Sequence, residues 1–376
     1  MKTITFFHPV DDNYGASNIL TYVLSFLSKE YKCIVYVPKI TKKMSSTLKE
    51  LHSDSVIFKE CPQLPIAHRA MLTPKGLLSW VVKNILIIKL FVKIRKNTDI
   101  IYINTLSLFS LSFISRVVFK KNLLHCHEYL EGTPHGKIMR LFTYLFSHCI
   151  ICVSEKVKNY ISVKNASKYY IVRNGIPDIT NNSKVLLSKE KDKVFISFIG
   201  RVMPEKGHWL VADAVSKLPK KLKNRIEIHV FGDAPPLSSH LFKDYQTVLL
   251  EKKLTNSIIL KGFDANAAKK SYKYDACLVP SIIVDSFPTT VLEAMRAQKA
   301  VITTNNGGAL ELIEDKIDGF LISPNDPQAL ADLFAYCIKN KNDLANMGLK
   351  ARSKYLNTYT ITQFQKRFSE VFKQHA

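Results

Sequence analysis

Short uninterrupted runs of Ile, Val, Leu and Phe alternate with longer segments of helical periodicity along the whole chain. Because these runs lack the strict alternation of a half-exposed strand, they predict parallel strands that are buried on both faces. Six runs lie in the first half, at Thr3–Phe7, Cys33–Val37, Ser55–Phe58, Ile100–Ile103, Leu123–His127 and Cys149–Val153. Six lie in the second half, at Phe195–Ile199, Ile226–Phe231, Ile258–Lys261, Ala276–Val279, Ala300–Thr303 and Gly319–Ile322. The periodic segments between them predict helices that cover the two sheets.

Two domains are predicted from the length of the chain and from one change in its composition. Its 376 residues exceed the roughly 100–200 that one domain commonly holds. Residues 173–193 combine turn formers with mixed charge, which is typical of a linker. We therefore predict an α/β fold of two Rossmann-like, doubly wound domains facing a central cleft, at residues 1–172 and 194–355. Residues 356–376 are predicted to form a helix that packs back toward the first domain.

The chain is strongly basic, with 54 Lys and Arg against 31 Asp and Glu and a formal charge of +23. The excess is +14 over residues 1–172 and +9 over residues 173–376. It favours anionic partners, namely phosphates, a membrane surface or nucleic acid. Nucleic-acid binding is disfavoured because only 10 of the basic residues are Arg, they are dispersed, and no recognition motif is present.

Cysteine usage and hydropathy bear on localisation and on metals. The seven cysteines are scattered through apolar runs, which suits a reducing compartment, and the first residues lack signal-peptide architecture. The longest uncharged stretches, Ile100–Ser115 and Leu141–Ser154, are too short to span a bilayer, so we expect a cytoplasmic protein. His125 and His127 could begin a zinc site, but no further ligands complete it, and no metal is expected.

A loop after the strand Phe195–Ile199 has the first candidate chemistry. It runs from Gly200 to Gly207, and Arg201 and Lys206 lie at the strand's carboxyl end, beside a helix amino-terminus. Two fixed cations and free backbone N–H groups form a natural phosphate site. A solvated turn with two surface cations is the alternative interpretation.

Two later loops add carboxylates and glycines. Asp285 lies in a loop, Thr289 begins a helix, and Glu293 lies about one turn inside that helix. Carboxylates accept hydrogen bonds from pairs of sugar hydroxyls, although a capping acid and a surface acid are the simpler interpretation of an isolated pair. In the third loop, Gly307 and Gly308 allow a ligand to approach the backbone closely. All three loops are expected to open on one side of one sheet, which favours a joint site.

The three loops together resemble the nucleotide-sugar half of retaining family-4 glycosyltransferases, whose architecture is GT-B. The matching motifs are Gly-Arg-x-x-x-Glu-Lys-Gly, Pro-Ser-x(3)-Asp-Ser-Phe-Pro-x-x-x-Leu-Glu-Ala-Met and Asn-Gly-Gly-x-x-Glu. The resemblance is dense over residues 195–325 and weaker before them. In the first half, Tyr14-Gly15-Ala16-Ser17 corresponds to the family's glycine-rich loop, and His127-Glu128 corresponds to its His followed by an acid.

The resemblance implies a role for each matching residue. Arg201 and Lys206 would neutralise the donor pyrophosphate, and Glu293 would hold the ribose hydroxyls. Asp285, where the family has Glu, would contact the transferred sugar, and His127 would lie on the acceptor side near the reacting centre. The implied catalytic set is His127, Arg201, Lys206 and Asp285. The implied donor-binding set is Gly15, Gly200, Arg201, Lys206, Gly262, Phe263, Asp285, Ser286, Phe287, Thr289, Thr290, Glu293, Gly307, Gly308 and Ala309.

The function implied is retaining transfer of a sugar from a nucleoside-diphosphate donor to a lipid-linked glycan acceptor. The resemblance is strongest to bacterial enzymes of surface-polysaccharide synthesis, which make O-antigen, capsule or lipopolysaccharide chains. Neither a cofactor nor a metal is expected. The alternatives are a catalytically silent sugar-nucleotide-binding subunit of an assembly complex and a GT-B sugar-nucleotide epimerase or sugar phosphorylase.

A basic amphipathic segment between residues 75 and 96 has two interpretations. Its lysines are Lys75, Lys83, Lys89, Lys93 and Lys96, and most of them share one helix face while apolar residues fill the rest. Such a segment suits peripheral binding to an anionic membrane on the inner face of the plasma membrane. The alternative is a buried helix of the first domain with a solvated edge.

Overall fold

The computed structural model describes residues 1–9, 15–40, 51, 53–68, 71, 73–118, 121–163, 167–179 and 192–375. It divides the chain into two compact units. Unit 1 consists of Met1–Asn174 together with Phe364–Ala376, and unit 2 consists of Gly175–Gln363. Most of the predicted linker, from residue 180 to residue 191, lies outside the described residues.

Unit 1 is built on a parallel sheet with seven strands among its described residues, in the order β3-β2-β1-β4-β5-β6-β7. The strands are β1 Thr3–Phe7, β2 Lys32–Val37, β3 Val56–Glu60, β4 Ile100–Asn104, β5 Asn122–Cys126, β6 Cys149–Cys152 and β7 Tyr169–Ile171. The helices are α1 Gly15–Leu27, α2 Pro74–Ile94, α3 Ser110–Val118, α4 Pro134–Phe146 and α5 Glu155–Ile161, with 3₁₀ turns at Arg95–Asn97 and Leu106–Leu108.

Unit 2 is built on a parallel sheet with six strands among its described residues, in the order β10-β9-β8-β11-β12-β13. The strands are β8 Val194–Ile199, β9 Ile226–Phe231, β10 Ile258–Gly262, β11 Ala276–Val279, β12 Ala300–Thr304 and β13 Gly319–Ile322. The helices are α6 His208–Lys217, α7 Lys220–Lys223, α8 His240–Glu251, α9 Ala267–Lys270, α10 Thr289–Arg296, α11 Ala309–Leu312, α12 Pro327–Lys339 and α13 Lys341–Thr358. Its 3₁₀ turns are Pro204–Lys206, Pro236–Ser238 and Ser271–Lys273.

The continuous apolar runs form strands for the predicted reason. Every residue of β4, β5, β6, β11 and β12 is buried, because helices cover both faces of a doubly wound sheet. The prediction of two Rossmann-like α/β domains is confirmed. The three-residue strand β7, which pairs with β6 at the edge of the sheet, was not predicted.

The last helix, α14 Ile361–His375, completes the core of unit 1. Its buried face consists of Phe364, Phe368 and Phe372, spaced four residues apart as a helix stripe requires. The ring of Phe26 lies 6.0 Å from that of Phe364 and 5.4 Å from that of Phe368. The residues just before α14, up to Thr358, belong to the separate helix α13 rather than to one continuous terminal helix.

Candidate functional sites

The three predicted loops of unit 2 meet in one assembly. They follow β8, β11 and β12, which are neighbours in a parallel sheet, so all three begin at the same edge. The amide N–H of Ile282 donates to the Glu205 carbonyl at 2.9 Å, which joins the first loop to the second. The second joins the third through the Thr304 hydroxyl, 2.7 Å from the Ser281 carbonyl oxygen. Hydrogen bonds therefore join all three loops.

Glycines make these loop contacts possible. A Cβ atom on Gly307, whose φ is +58°, would lie 2.2 Å from the Asp285 carbonyl oxygen. A Cβ atom on Gly308 would lie 2.3 Å from the Ser286 carbonyl oxygen, and one on Gly207 would lie 2.1 Å from the Pro280 carbonyl oxygen. In this structure the close approach that Gly307 and Gly308 allow is to the neighbouring loop, whereas the sequence pattern predicted an approach to a ligand.

Lys206 and Asp285 form an ion pair, with Lys206 Nζ 3.0 Å from Asp285 Oδ2. Each side chain is about one-third exposed, so both charged groups remain accessible. Lys206, the predicted phosphate-binding residue, and Asp285, the predicted sugar-binding residue, thus neutralise each other's charge. Arg201, on the same loop as Lys206, is exposed.

Glu293 is held on α10 in an unusual electrostatic state. Burial raises the pKa of its carboxyl group to about 7, and the positive charge of Arg296 opposes that rise. Among the described residues, none donates a hydrogen bond to this carboxylate. Because such donors favour the charged form, hydroxyl groups of a ligand would lower the pKa again.

The remaining predicted donor residues divide into buried supports and surface groups. Phe287 is buried and its ring lies 6.1 Å from that of Tyr359, so it anchors the Asp285 loop. Ala309 is also buried, at the start of α11. The predicted residues that are partly exposed are Gly200, Ser286, Thr289 and Thr290.

The predicted pair Gly262–Phe263 lies further along the sheet. Gly262 is the last residue of β10, which β9 separates from β8, and Phe263, directly after it, is 69% exposed. Gly262 is nevertheless linked to the loop assembly through Gly232, a residue that was not predicted from the sequence. The Gly232 amide donates to the Gly262 carbonyl at 2.9 Å, and a Cβ atom on Gly232 would lie 2.0 Å from the Gly200 carbonyl oxygen. A glycine directly after the predicted strand Ile226–Phe231 was the available signal.

In unit 1, His127 belongs to a chain of hydrogen bonds at the carboxyl ends of β1, β4 and β5. Its Nε2 lies 3.2 Å from Asn104 Oδ1, Asn104 Nδ2 lies 2.9 Å from His8 Nδ1, and His8 Nε2 lies 2.9 Å from Ser17 Oγ. Burial and the neighbouring His8 lower the pKa of His127 to about 3, so the ring is neutral at pH 7. Since Nε2–H donates to the amide oxygen, Nδ1 is left as an acceptor.

Glu128 braces a strained turn next to this chain. Its Oε2 accepts from the Leu106 amide at 2.8 Å and from the His127 amide at 3.1 Å. Burial raises the pKa of Glu128, and these two amides oppose the rise. Thr105, which precedes the turn, has φ +89°, a conformation that costs about 1–3 kcal/mol for a non-glycine residue. The sequence motif includes Glu128, but it predicted no function for this residue.

The other predictions in unit 1 concern glycine, metal and lysine residues. Gly15 begins α1, and a Cβ atom there would meet no atom within 4 Å; Tyr14 lies outside the described residues. His125 packs against His127 with ring centroids 4.1 Å apart. In the described part of the chain, no group of three or more His, Cys, Asp or Glu residues is arranged to hold a metal.

The lysine segment forms the long helix α2, and the interpretation of it as a buried helix is wrong. Only Ile87 and Phe91 of its 21 residues are buried. Lys75, Lys89, Lys93 and Lys96 are exposed, whereas Lys83 is partly buried. None of the helices in the described ranges is long and apolar enough to cross a membrane.

Residues 178–354 match the family model for glycosyl transferases group 1. That segment contains the whole loop assembly of unit 2. Among curated proteins, the chain is similar to an uncharacterized glycosyltransferase of Methanocaldococcus jannaschii, with 26% identity over 64% of this chain and 61% of the relative. It is also similar to a lipopolysaccharide 1,2-N-acetylglucosaminetransferase of Salmonella typhimurium, with 26% identity over 51% of each chain. The chain thus spans about half to three-fifths of the length of these relatives.

A solved structure matches over the whole chain. Anabaena HepE in complex with UDP and glucose has a TM-score of 0.80 and 19% identity, and the match covers 100% of both chains. At this identity the likeness shows the fold. The fold is GT-B, as the sequence motifs implied.

Proposed function

We propose that the protein is a retaining glycosyltransferase, which moves a sugar from a nucleoside-diphosphate donor to a glycan acceptor. The observation that carries the proposal is the loop assembly of unit 2. It gathers cations, carboxylates and closely packed glycines at the carboxyl ends of three neighbouring strands. Sites of ligand binding in doubly wound sheets lie at such ends, and the assembly lies inside the segment that matches group 1 glycosyl transferases.

The donor engages the two cations and the two carboxylates of the assembly. Lys206 and Arg201 neutralise the diphosphate, and Lys206 leaves Asp285 when the phosphate arrives, so that the carboxylate is freed for sugar hydroxyls. Glu293 accepts hydrogen bonds from the ribose hydroxyls in its charged form. Within unit 2, Gly262 and Phe263 complete the donor contacts. UDP is the first nucleotide to test, because the similar Anabaena protein binds UDP and glucose.

The reaction depends on stabilising the departing diphosphate. As the bond between the sugar's C1 and the phosphate oxygen breaks, negative charge grows on the leaving group next to Lys206 and Arg201. The acceptor hydroxyl oxygen bonds to C1 on the same face, and its proton passes to the departing phosphate oxygen. In unit 1, neutral His127 presents Nδ1 as a hydrogen-bond acceptor to a hydroxyl of the glycan acceptor. This scheme uses no metal and no cofactor.

The proposed acceptor is a lipid-linked glycan of bacterial surface-polysaccharide synthesis, of the O-antigen, capsule or lipopolysaccharide type. Two observations support it: the Salmonella relative is a lipopolysaccharide transferase by name, and the basic excess is denser in the first half of the chain. The proposed location is cytoplasmic, peripheral on the inner face of the plasma membrane.

A binding screen followed by product analysis tests the proposal. Thermal unfolding is measured with UDP, GDP, ADP, CMP and dTDP and their sugar conjugates, on the wild type, on Glu293→Ala and on the control Glu251→Ala, which alters an exposed carboxylate of α8. A ligand at 100 times its Kd adds about 2.7 kcal/mol of stability. We expect one nucleotide to stabilise the wild type and the control Glu251→Ala by about this amount. The same nucleotide should not stabilise Glu293→Ala.

Turnover then distinguishes a transferase from a binding subunit. Lys206→Ala is expected to lower kcat by about 10²–10³-fold, the usual cost of losing one preorganised charge-stabilising group. NMR of the product should show the donor's anomeric configuration. Failure of every nucleotide to stabilise the wild type would remove the donor-site assignment, and nucleotide binding without diphosphate release would indicate the silent subunit.

A further inference from the structure

Three neighbouring helices of unit 1 expose an apolar surface. Among the residues that the structure describes, thirteen of the twenty-three exposed large apolar residues lie on α2, α3 and α4. The strands β3, β4, β5 and β6 follow one another in one direction across the sheet, so right-handed crossovers place these three helices on the same face. We call their outward side the three-helix face.

Aromatic side chains hold the three helices side by side. Trp80 of α2 stacks on Phe109 at 5.7 Å, and Phe109, just before α3, meets Phe142 of α4 at 5.5 Å. Phe113 of α3 meets Phe146 of α4 at 4.9 Å. The exposed apolar residues of the three helices therefore form one continuous surface.

Exposed apolar residues of α2 occupy the side on which a surface helix normally has charged residues. At about 100° per residue, Leu78, Ile85 and Val92 project from the side opposite the buried Ile87 and Phe91. Leu78 is 66% exposed, and Ile85 and Val92 are each 60% exposed. A helix that is apolar on both sides is expected to be covered on both sides. Within the described part of the chain, only one side of α2 is covered.

The neighbouring helices continue the same chemistry. On α3, Val117 is 71% exposed, and on α4 three residues at helical spacing, Ile138, Leu141 and Leu145, are exposed. The three helices together contain seven Lys and Arg and no Asp or Glu. An apolar surface with basic residues and no acidic ones complements an anionic lipid bilayer.

We propose that the three-helix face inserts into the headgroup region of an anionic membrane. The apolar side chains of α2, α3 and α4 enter the boundary between headgroups and acyl chains, and the lysines bind lipid phosphates around them. The lysines attract the anionic headgroups, and the apolar residues add an attraction that salt does not screen. This inference rests on the proposed membrane location and deepens it by naming the surface that binds the lipid, and its test requires neither donor nor acceptor.

Vesicle binding by the full-length protein tests the proposal. Sedimentation is compared for vesicles of phosphatidylcholine alone and of phosphatidylcholine with one-third phosphatidylglycerol, at 0.1 M and 0.5 M NaCl. Each lysine near an anionic surface raises the affinity about fivefold at moderate salt. We therefore expect binding to the anionic vesicles to weaken at 0.5 M NaCl, where that attraction is screened, but to persist in part.

Matched variants separate insertion from simple attraction. Ile85→Glu places a charge in the middle of the exposed side of α2, and Leu250→Glu places the same charge at a similarly exposed leucine (66%) of α8 in unit 2. We expect Ile85→Glu to weaken vesicle binding at least tenfold and Leu250→Glu to leave it unchanged, with both variants unfolding at the wild-type temperature. The proposal fails if the two variants bind alike, or if the wild type ignores anionic vesicles at 0.1 M NaCl. It also fails if the wild type instead forms a dimer that Ile85→Glu dissociates.

Discussion

The close approach of two loops in the donor assembly can be tested by adding one methyl group. Gly308 has φ −71° and ψ −11°, a backbone conformation open to any residue, so Gly308→Ala introduces no backbone strain. Its Cβ would nevertheless lie 2.3 Å from the Ser286 carbonyl oxygen and 2.8 Å from the Phe287 Cα, both backbone atoms. Reaching the ordinary contact distance of about 3.4 Å requires the two loops to separate by about 1 Å.

That separation sets the size of the expected effect. It would stretch the hydrogen bond from the Gly308 amide to the Asp285 carbonyl, now 2.8 Å, beyond bonding range. Overpacking costs about 1–3 kcal/mol and breaking the hydrogen bond about 1 kcal/mol. We therefore expect Gly308→Ala to lower the free energy of unfolding by about 2–4 kcal/mol. For the 189 residues of unit 2, that corresponds to a fall in Tm of about 5–15 °C.

Gly200→Ala is the matched control in the same assembly. Its Cβ would meet only the Phe198 ring, at 3.7 Å, which is ordinary contact. Replacing a glycine without strain is expected to change stability by less than about 1 kcal/mol, and in the stabilising direction. Thermal and urea unfolding, followed by circular dichroism, measure both variants. If Gly308→Ala unfolds within 2 °C of Gly200→Ala, the loops yield freely and do not form a rigid support for Asp285.

Two further predictions concern Glu293 and Glu128, the carboxylates whose pKa burial raises. Because the pKa of Glu293 is raised to about 7 and its charged form accepts the proposed ribose hydrogen bonds, donor affinity measured by calorimetry should fall as the pH drops from 8 to 6. Glu293→Gln should flatten this dependence, and an unchanged pH profile would assign it to another group. Glu128→Gln should lower stability by about 1–3 kcal/mol, because the brace of the Thr105 turn loses its charge. Glu131→Gln, at an exposed position, should not; equal Tm values for the two would contradict that bracing.

The sequence predicts the loop assembly well because one rule places its parts. Strands of a parallel sheet end at a common edge, so Lys206, Asp285 and Gly307 could be assigned to one edge of the sheet once their strands were recognised. The sequence did not reveal what the glycines contact. Which backbone a missing Cβ makes room for depends on loop geometry that no short pattern encodes.

Unit 1 shows a second limit of sequence reasoning. His8, Asn104 and His127 each stand at or directly after a predicted strand, but β1 neighbours β4, and β4 neighbours β5, only in the folded sheet. The hydrogen bond between His8 and Asn104 joins residues 96 positions apart. The error at α2 has a related cause: its pattern resembles that of a buried helix, and only the packing shows that one side is uncovered.

The position of α14 has a consequence for synthesis of the chain. Phe364, Phe368 and Phe372 fill the core of unit 1, yet the 189 residues of unit 2 separate Asn174 from Phe364. At about 5–20 residues per second, the ribosome needs about 10–40 s to make them. During that interval, while unit 2 is still being made, the nascent first unit exposes Phe26 and its aromatic neighbours. The domain begun first is therefore the last to be finished, and this interval is when it most needs a chaperone.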